Sequence, residues 1–209
     1  MILNFLDPND ISDLRSFLTR AKRLDEKGLV KFKMDGGVLG VYVSPIFTAS
    51  LLDKGPTVLG LRTIHINAEQ VDGAFEIASI LERLAGLGEE LELRLPPTQS
   101  RAAWTGITPP RQNWQQVASV SNTEIAAVAK LGIAEVAEAI PDSIGLSIAN
   151  RVRQQVWGRS LSESLPYPAG AAFALFGLGF LNPLEEVAVF EAPGWVRFST
   201  SFGHVMAKR

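Results

Sequence analysis
Few side chains able to do chemistry are present, and they lie far apart. Histidine occurs only at His65 and His204. A metal site would need both to meet beside a carboxylate, and nothing in their spacing suggests it. The chain has no cysteine, which excludes disulfides, zinc-thiolate sites, iron–sulfur clusters and thiol nucleophiles. HExxH, P-loop, EF-hand and GxSxG patterns are absent. Gly177-Leu178-Gly179-Phe180-Leu181-Asn182 comes nearest to a dinucleotide fingerprint. It lacks the third glycine and lies late in an apolar helix, away from the strand-to-helix turn where N–H groups meet phosphate. These glycines read as close helix packing. The acid pairs Glu89-Glu90 and Glu185-Glu186 sit at turns beside strands, and adjacent acids in a strand face opposite ways. No catalytic residue, metal ligand or cofactor is therefore assigned.

Two sets of residues suit binding instead. Trp104, Arg111 and Trp114 lie in the turn-rich stretch 96–120. Their aromatic faces and guanidinium could hold a peptide or a planar ligand. The competing and favoured reading is that both indoles plug the seam between two halves of the molecule, because each has a large apolar area to bury. For nucleic acid, the candidates are Arg151, Arg153 and Arg159, together with a β-turn acting as a wing tip.

The elements that must position these residues follow from periodicity and turn chemistry. Asp7-Pro8-Asn9-Asp10 starts a helix, with Ile11, Leu14, Phe17, Leu18, Ala21 and Leu24 on its inner face and Gly28 ending it. Arg15, Arg20, Lys22, Arg23 and Lys27 read as its solvated face. Leu29–Met34 and Val38–Ser44 form a hairpin about Asp35-Gly36-Gly37, since glycine supplies the positive φ that the turn needs. Thr57–Ile66 is a third strand. Asn67-Ala68-Glu69-Gln70 reads as a capping box for a helix running from Val71 to Gly86 or Gly88. Leu91–Leu95 is a fourth strand, and the 25 or so residues after it read as loop.

Ser121-Asn122-Thr123-Glu124 caps a second-half helix whose inner stripe is Ile125, Val128, Ala129, Gly132, Val136 and Ile140. Asp142 caps another, with Ile144, Ile148, Val152 and Val156 as its ridge. Ala169–Leu181 is apolar all round, which marks a core-threading or interface helix. Val187–Glu191 and Trp195–Thr200 close the chain as strands about a type II turn at Ala192-Pro193-Gly194-Trp195; Gly203–Met206 adds a last short strand. The fold class is thus α+β, with an N-terminal antiparallel sheet and two helices, then three helices and a β-hairpin. The divisions are an α+β subregion (1–97), a Trp/Pro-rich connecting loop (98–120) and a helical subregion with the hairpin (121–209). The second half has the order of a winged helix. Its third helix offers Ala171, Ala172, Phe173, Leu175, Phe176 and Leu178 where a reading helix needs Arg, Lys, Asn or Gln, so packing or dimerisation is the better use. Leu131-Gly132-Ile133 has a superficial helix-turn-helix look.

The chain has 209 residues, 46% of them hydrophobic and 20% charged, with a net charge of −2. This excludes a disordered chain and disfavours nucleic acid as a partner. The N-terminus lacks a basic leader, and Ala169–Leu181 would rise only about 20 Å against a hydrocarbon core of about 30 Å. A cytoplasmic address without membrane association is expected.

Trp104-Thr105-Gly106-Ile107-Thr108-Pro109-Pro110-Arg111, closed by Trp114, forms one distinctive motif. The other is the tail from Gly179-Phe180-Leu181 through Trp195-Val196-Arg197-Phe198-Ser199-Thr200 to Gly203-His204-Val205. Together they resemble an uncharacterised family of conserved actinobacterial proteins, a resemblance covering most of the chain. It implies a cytoplasmic address and no activity, cofactor or site. The resulting expectation is a soluble, non-catalytic interaction protein, a homodimer through apolar surface near Ala169–Leu181. The alternatives are a DNA-binding winged-helix regulator and an enzyme whose site is assembled only in three dimensions.

Overall fold
The computed structural model describes residues 1–48, 55–68, 70–140 and 146–208. The chain order is β1 (Ile2–Phe5), α1 (Pro8–Leu24), β2 (Leu29–Asp35), β3 (Val38–Ile46), β4 (Val58–Ala68), β5 (Asp72–Glu76), α2 (Ile77–Ala85) and β6 (Glu92–Arg94). A short 3-10 helix (Ala103–Gly106) follows, then β7 (Gln115–Ser121), α3 (Asn122–Ala139), α4 (Leu146–Gly158), α5 (Gly170–Gly177), β8 (Glu186–Ala192), β9 (Trp195–Thr200) and β10 (Gly203–Lys208).

The strands form one antiparallel sheet of ten, in the order β5-β2-β3-β4-β10-β9-β8-β7, with β1 between β4 and β6. Strand β4 joins everything. Its early residues pair with β10 (Val58↔Ala207 to Leu61↔His204), its late ones with β1 (Ile66↔Phe5 to Ala68↔Leu3), and its other edge with β3. The helices cover one face. Phe17 of α1, Leu175 of α5 and Ile125 of α3 join Phe32, Val41, Val58, Val189, Phe198 and Val205 from the sheet in a single core. Phe17 stacks on Phe180 at 5.5 Å.

Several expected elements form for the expected reasons. Asp7 caps α1 by accepting from the Asn9 N–H at 2.8 Å. Gly36 and Gly37 turn the β2–β3 hairpin with φ of 57° and 84°, the pair of left-handed residues a two-residue turn requires. Ser121 caps α3 through the Glu124 N–H. The β8–β9 turn has Gly194 at φ 74°, as a type II turn demands.

Others differ. No helix starts at Val71. Residues Asp72–Glu76 are strand β5, paired with β2 from Lys33↔Asp72 to Leu29↔Glu76, and α2 begins at Ile77. Gly73 is a poor helix residue, and the open edge of β2 supplies pairing that no local signal announces. The stretch 98–120 holds the 3-10 helix and most of β7, whose partner β8 lies some 65 residues further on. The N-terminal residues, read only as a non-leader, form β1. The Leu131-Gly132-Ile133 site is no turn: it lies inside continuous α3, where a Cβ on Gly132 would strike the Trp157 ring of α4. Toward the C-terminal end of α3 the expected stripe is only half-buried, at Val136 and Ile140. On α4, Val156 and Trp157 are buried while Ile148 is exposed; Asp142 and Ile144 lie outside the described residues.

The winged-helix reading does not hold. Strands β8, β9 and β10 belong to the large sheet rather than to a free wing. Helix α5 is buried through Ala171, Ala172, Ala174 and Leu175 against the sheet and its neighbouring helices. It ends in a Schellman motif, with the Phe180 N–H bonded to Leu175 O and the Gly179 N–H to Phe176 O while Gly179 takes φ 70°. Gly177 packs against Leu24 of α1. Most of the apolar surface near Ala169–Leu181 is therefore inside the core of one chain, while Phe173 is half-buried and Phe176 is 37% exposed.

Candidate binding face around Trp114 and Arg197
Strand alternation sends every second side chain to the face opposite the helices. There the segment between β6 and β7 folds back over the sheet. Trp104, in the 3-10 helix, is only 3% exposed and packs on Leu59 of β4, Trp195 at the start of β9 and Met206 of β10. It thus touches strands from both halves of the chain. Lys31 of β2 anchors the same segment by donating to Thr105 O at 2.7 Å, while pairing with Asp72 at 3.3 Å.

Trp114 is placed differently. Asn113 precedes it at φ 64°, a left-handed conformation that asparagine tolerates better than most residues. The Trp114 indole N–H donates to Pro110 O at 2.9 Å, closing the loop on itself. One face of the ring lies over Arg197 of β9, whose guanidinium carbon is 4.8 Å from the Trp114 centroid and 4.4 Å from that of Phe190, directly across on β8. Trp114 itself remains half-buried.

Arg111 has an ion pair of its own. It reaches to the tip of the β2–β3 hairpin and pairs with Asp35 at 2.9 Å, both side chains being well exposed. Arg151 and Arg153 are exposed on α4, two residues apart and so on different sides of the helix. Arg159 pairs with Glu135 of α3 and donates to Val156 O.

The histidines stay apart. His204 stands opposite Leu61, and His65 lies four residues further along β4, about 13 Å away at strand spacing. Among the described residues no group of three or more histidines and carboxylates could hold a metal ion. His204 Nδ1 shares a hydrogen bond with Ser199 Oγ at 3.0 Å. Burial, and then the Arg197 charge, push its pKa below the ordinary histidine value. Burial also lowers the Arg197 pKa from its usual value, though guanidinium stays charged at any ordinary pH. Glu185 and Glu186 act as tethers, accepting from Ser201 and Ser119.

Sequence reasoning passed over Arg197. Its only signal was an inward–outward–inward run, Val196-Arg197-Phe198, in a closing strand. That pattern says the arginine faces away from the core, but not which rings lie beside it.

The chain belongs to the family described as a domain of unknown function (DUF8010), whose model matches residues 1–106. Residues 109–209 match a second model, also a domain of unknown function (DUF8185). No curated protein matches the chain. Among solved structures it is similar in fold to bacterial DNA polymerase sliding clamps. The beta clamp of Helicobacter pylori is 8% identical with a TM-score of 0.50. That of Caulobacter crescentus is 13% identical at 0.51, and that of Bartonella birtlesii 11% at 0.52. Each match covers 100% of this chain but only 63%, 65% and 64% of the respective clamp. The fold is clamp-like, and this chain spans under two thirds of those proteins' length. Among the described residues no helix is long and apolar enough to cross a membrane.

Proposed function
We propose that this protein is a non-catalytic binding module that receives a partner on the sheet face opposite the helices, beside Trp114. The supporting observation is the contrast between the two indoles. Trp104 is sealed against the sheet, whereas Trp114 is held half-buried by a left-handed turn at Asn113 and a stacked arginine. Rigid aromatic side chains fixed in this way are the usual anchors of binding surfaces. The neighbouring clamps support a binding role, since they are DNA polymerase clamps solved in complex with small ligands such as carprofen and griselimycin. Panning a displayed random-peptide library on the folded chain tests the reading. Enrichment that disappears on Trp114→Ala supports it, and enrichment unaffected by that change overturns it.

A second reading is association with duplex DNA, favoured by the fold of the neighbours rather than by net charge. It would use Arg151 and Arg153, since Arg159 is paired. Retardation of a DNA duplex that weakens steeply with salt supports it; no retardation at low ionic strength removes it. Self-association near Ala169–Leu181 would rest on the exposed Phe176, and light scattering at micromolar concentration reads it directly.

A further inference from the structure
We propose that Arg197 is the receptor for a carboxylate group, held edge-on between Trp114 and Phe190; the inference deepens the binding reading above by naming the chemistry of what is bound. A guanidinium offers five N–H donors in a planar fork. Two rings lie against this one, their centroids 4.8 Å and 4.4 Å from its central carbon, and neither offers its N–H groups a lone pair. Among the described residues, the fork is unused. Arg197 makes no ion pair and no hydrogen bond, and its Nε is buried without a partner. Three other cations on this face contrast with it: Lys31 and Lys33 share Asp72, and Arg111 holds Asp35. A buried donor left unmatched is costly, and more so on a charged group. A carboxylate meeting the terminal Nη pair supplies the matching bidentate geometry and the opposite charge.

The floor beside the fork is open. Ala188 lies opposite Ser199, which lies opposite His204, and all three are half-exposed with short or polar side chains. His204 is favoured in its neutral form, with Arg197 as a cause and no acid among the causes. Arg197 itself brings one positive charge to the fork, which fits one carboxylate better than a doubly charged phosphate. Trp114 and Phe190 flank the fork and would line the ligand's apolar portion.

The test is a titration of the isotope-labelled full chain, followed at the Trp114 indole N–H and the Arg197 Nε–H resonances. N-acetyl-glutamate amide is the small probe, its glutamine counterpart the neutral control, inorganic phosphate the competing anion and a short glutamate-containing peptide the larger source. Saturable shifts with the glutamate probes and none with glutamine are expected. The shifts should be lost in Arg197→Gln and weakened about tenfold in Arg197→Lys, which keeps charge but not the fork. A peptide tighter than the free amide identifies a protein segment as the source; equal affinity identifies a small carboxylate. Shifts with phosphate alone, equal shifts with glutamine, or shifts surviving Arg197→Gln overturn the inference. If Arg197→Gln is unfolded, the glutamate-against-glutamine comparison on the unaltered chain decides. Selected peptides that need Trp114 but not Arg197 would leave the binding face standing and remove the carboxylate. Carboxylate shifts without any selected peptide would do the reverse.

Discussion
On the helix side of the sheet, β2, β3, β9 and β10 present Phe32, Val41, Phe198 and Val205, all buried under α1, α3 and α5. On the other side the same strands present Lys31, Tyr42, Arg197 and His204, and the segment carrying Trp104 and Trp114 lies over part of that face. The first face is sealed by apolar side chains that any fold of this class needs. The second is finished with charges, rings and one loop, and part of it stays open. The difference separates what holds the molecule together from what it can offer to something else.

Mutations can break that contrast or sharpen it. Phe180→Ala empties a fully buried site stacked on Phe17 and should cost about 4 kcal/mol in urea unfolding. Trp104→Ala lies on the opposite face yet should cost about 3 kcal/mol, because the indole is equally enclosed. A loss under about 1 kcal/mol would show that the loop merely rests on the sheet. Trp114→Ala should cost only about 1 kcal/mol, the worth of a ring half in solvent with one cation stacked on it. A loss as large as that of Trp104 would make it a second plug. The pH dependence is smaller. His204 has a folded pKa below its unfolded value, so the unfolded state takes up its proton first. Its contribution is complete above about pH 6.5 and is lost as pH falls through the lower folded value. The melting temperature should therefore decline below about pH 6.5, and His204→Gln should flatten that part of the curve. Arg159→Ala, which breaks an exposed pair with Glu135, should change stability by less than about 0.5 kcal/mol.

Wherever local chemistry alone decided an element, the sequence announced it. Asp7 with Pro8, the paired glycines after Asp35, Ser121 three residues before Glu124, and Pro193-Gly194 each fix a boundary without distant help. Strands β1, β5 and β7 were illegible because each exists only through a partner: β4 and β6, β2, or β8. Residues 71–76 carry apolar side chains at a spacing that fits a helix as well as a strand, and the free edge of β2 decides between them. The same holds for the binding face. Trp104 and Trp114 stood out by type, but Arg111 was grouped with them by proximity in sequence when its charge is engaged at a hairpin tip. Arg197 is more than eighty residues from Trp114 and meets it only because β7, β8 and β9 lie side by side.

Strand β4 serves two masters along its length, one from each part of the chain. Expressed alone, residues 1–106 would present a bare ledge at Val58–Leu61, and residues 109–209 a matching one along β10. Unsatisfied ledges of this kind invite sticking to whatever strand comes near. Made together, the two pieces should find each other and restore the whole, so a nick in the chain between them need not abolish the fold.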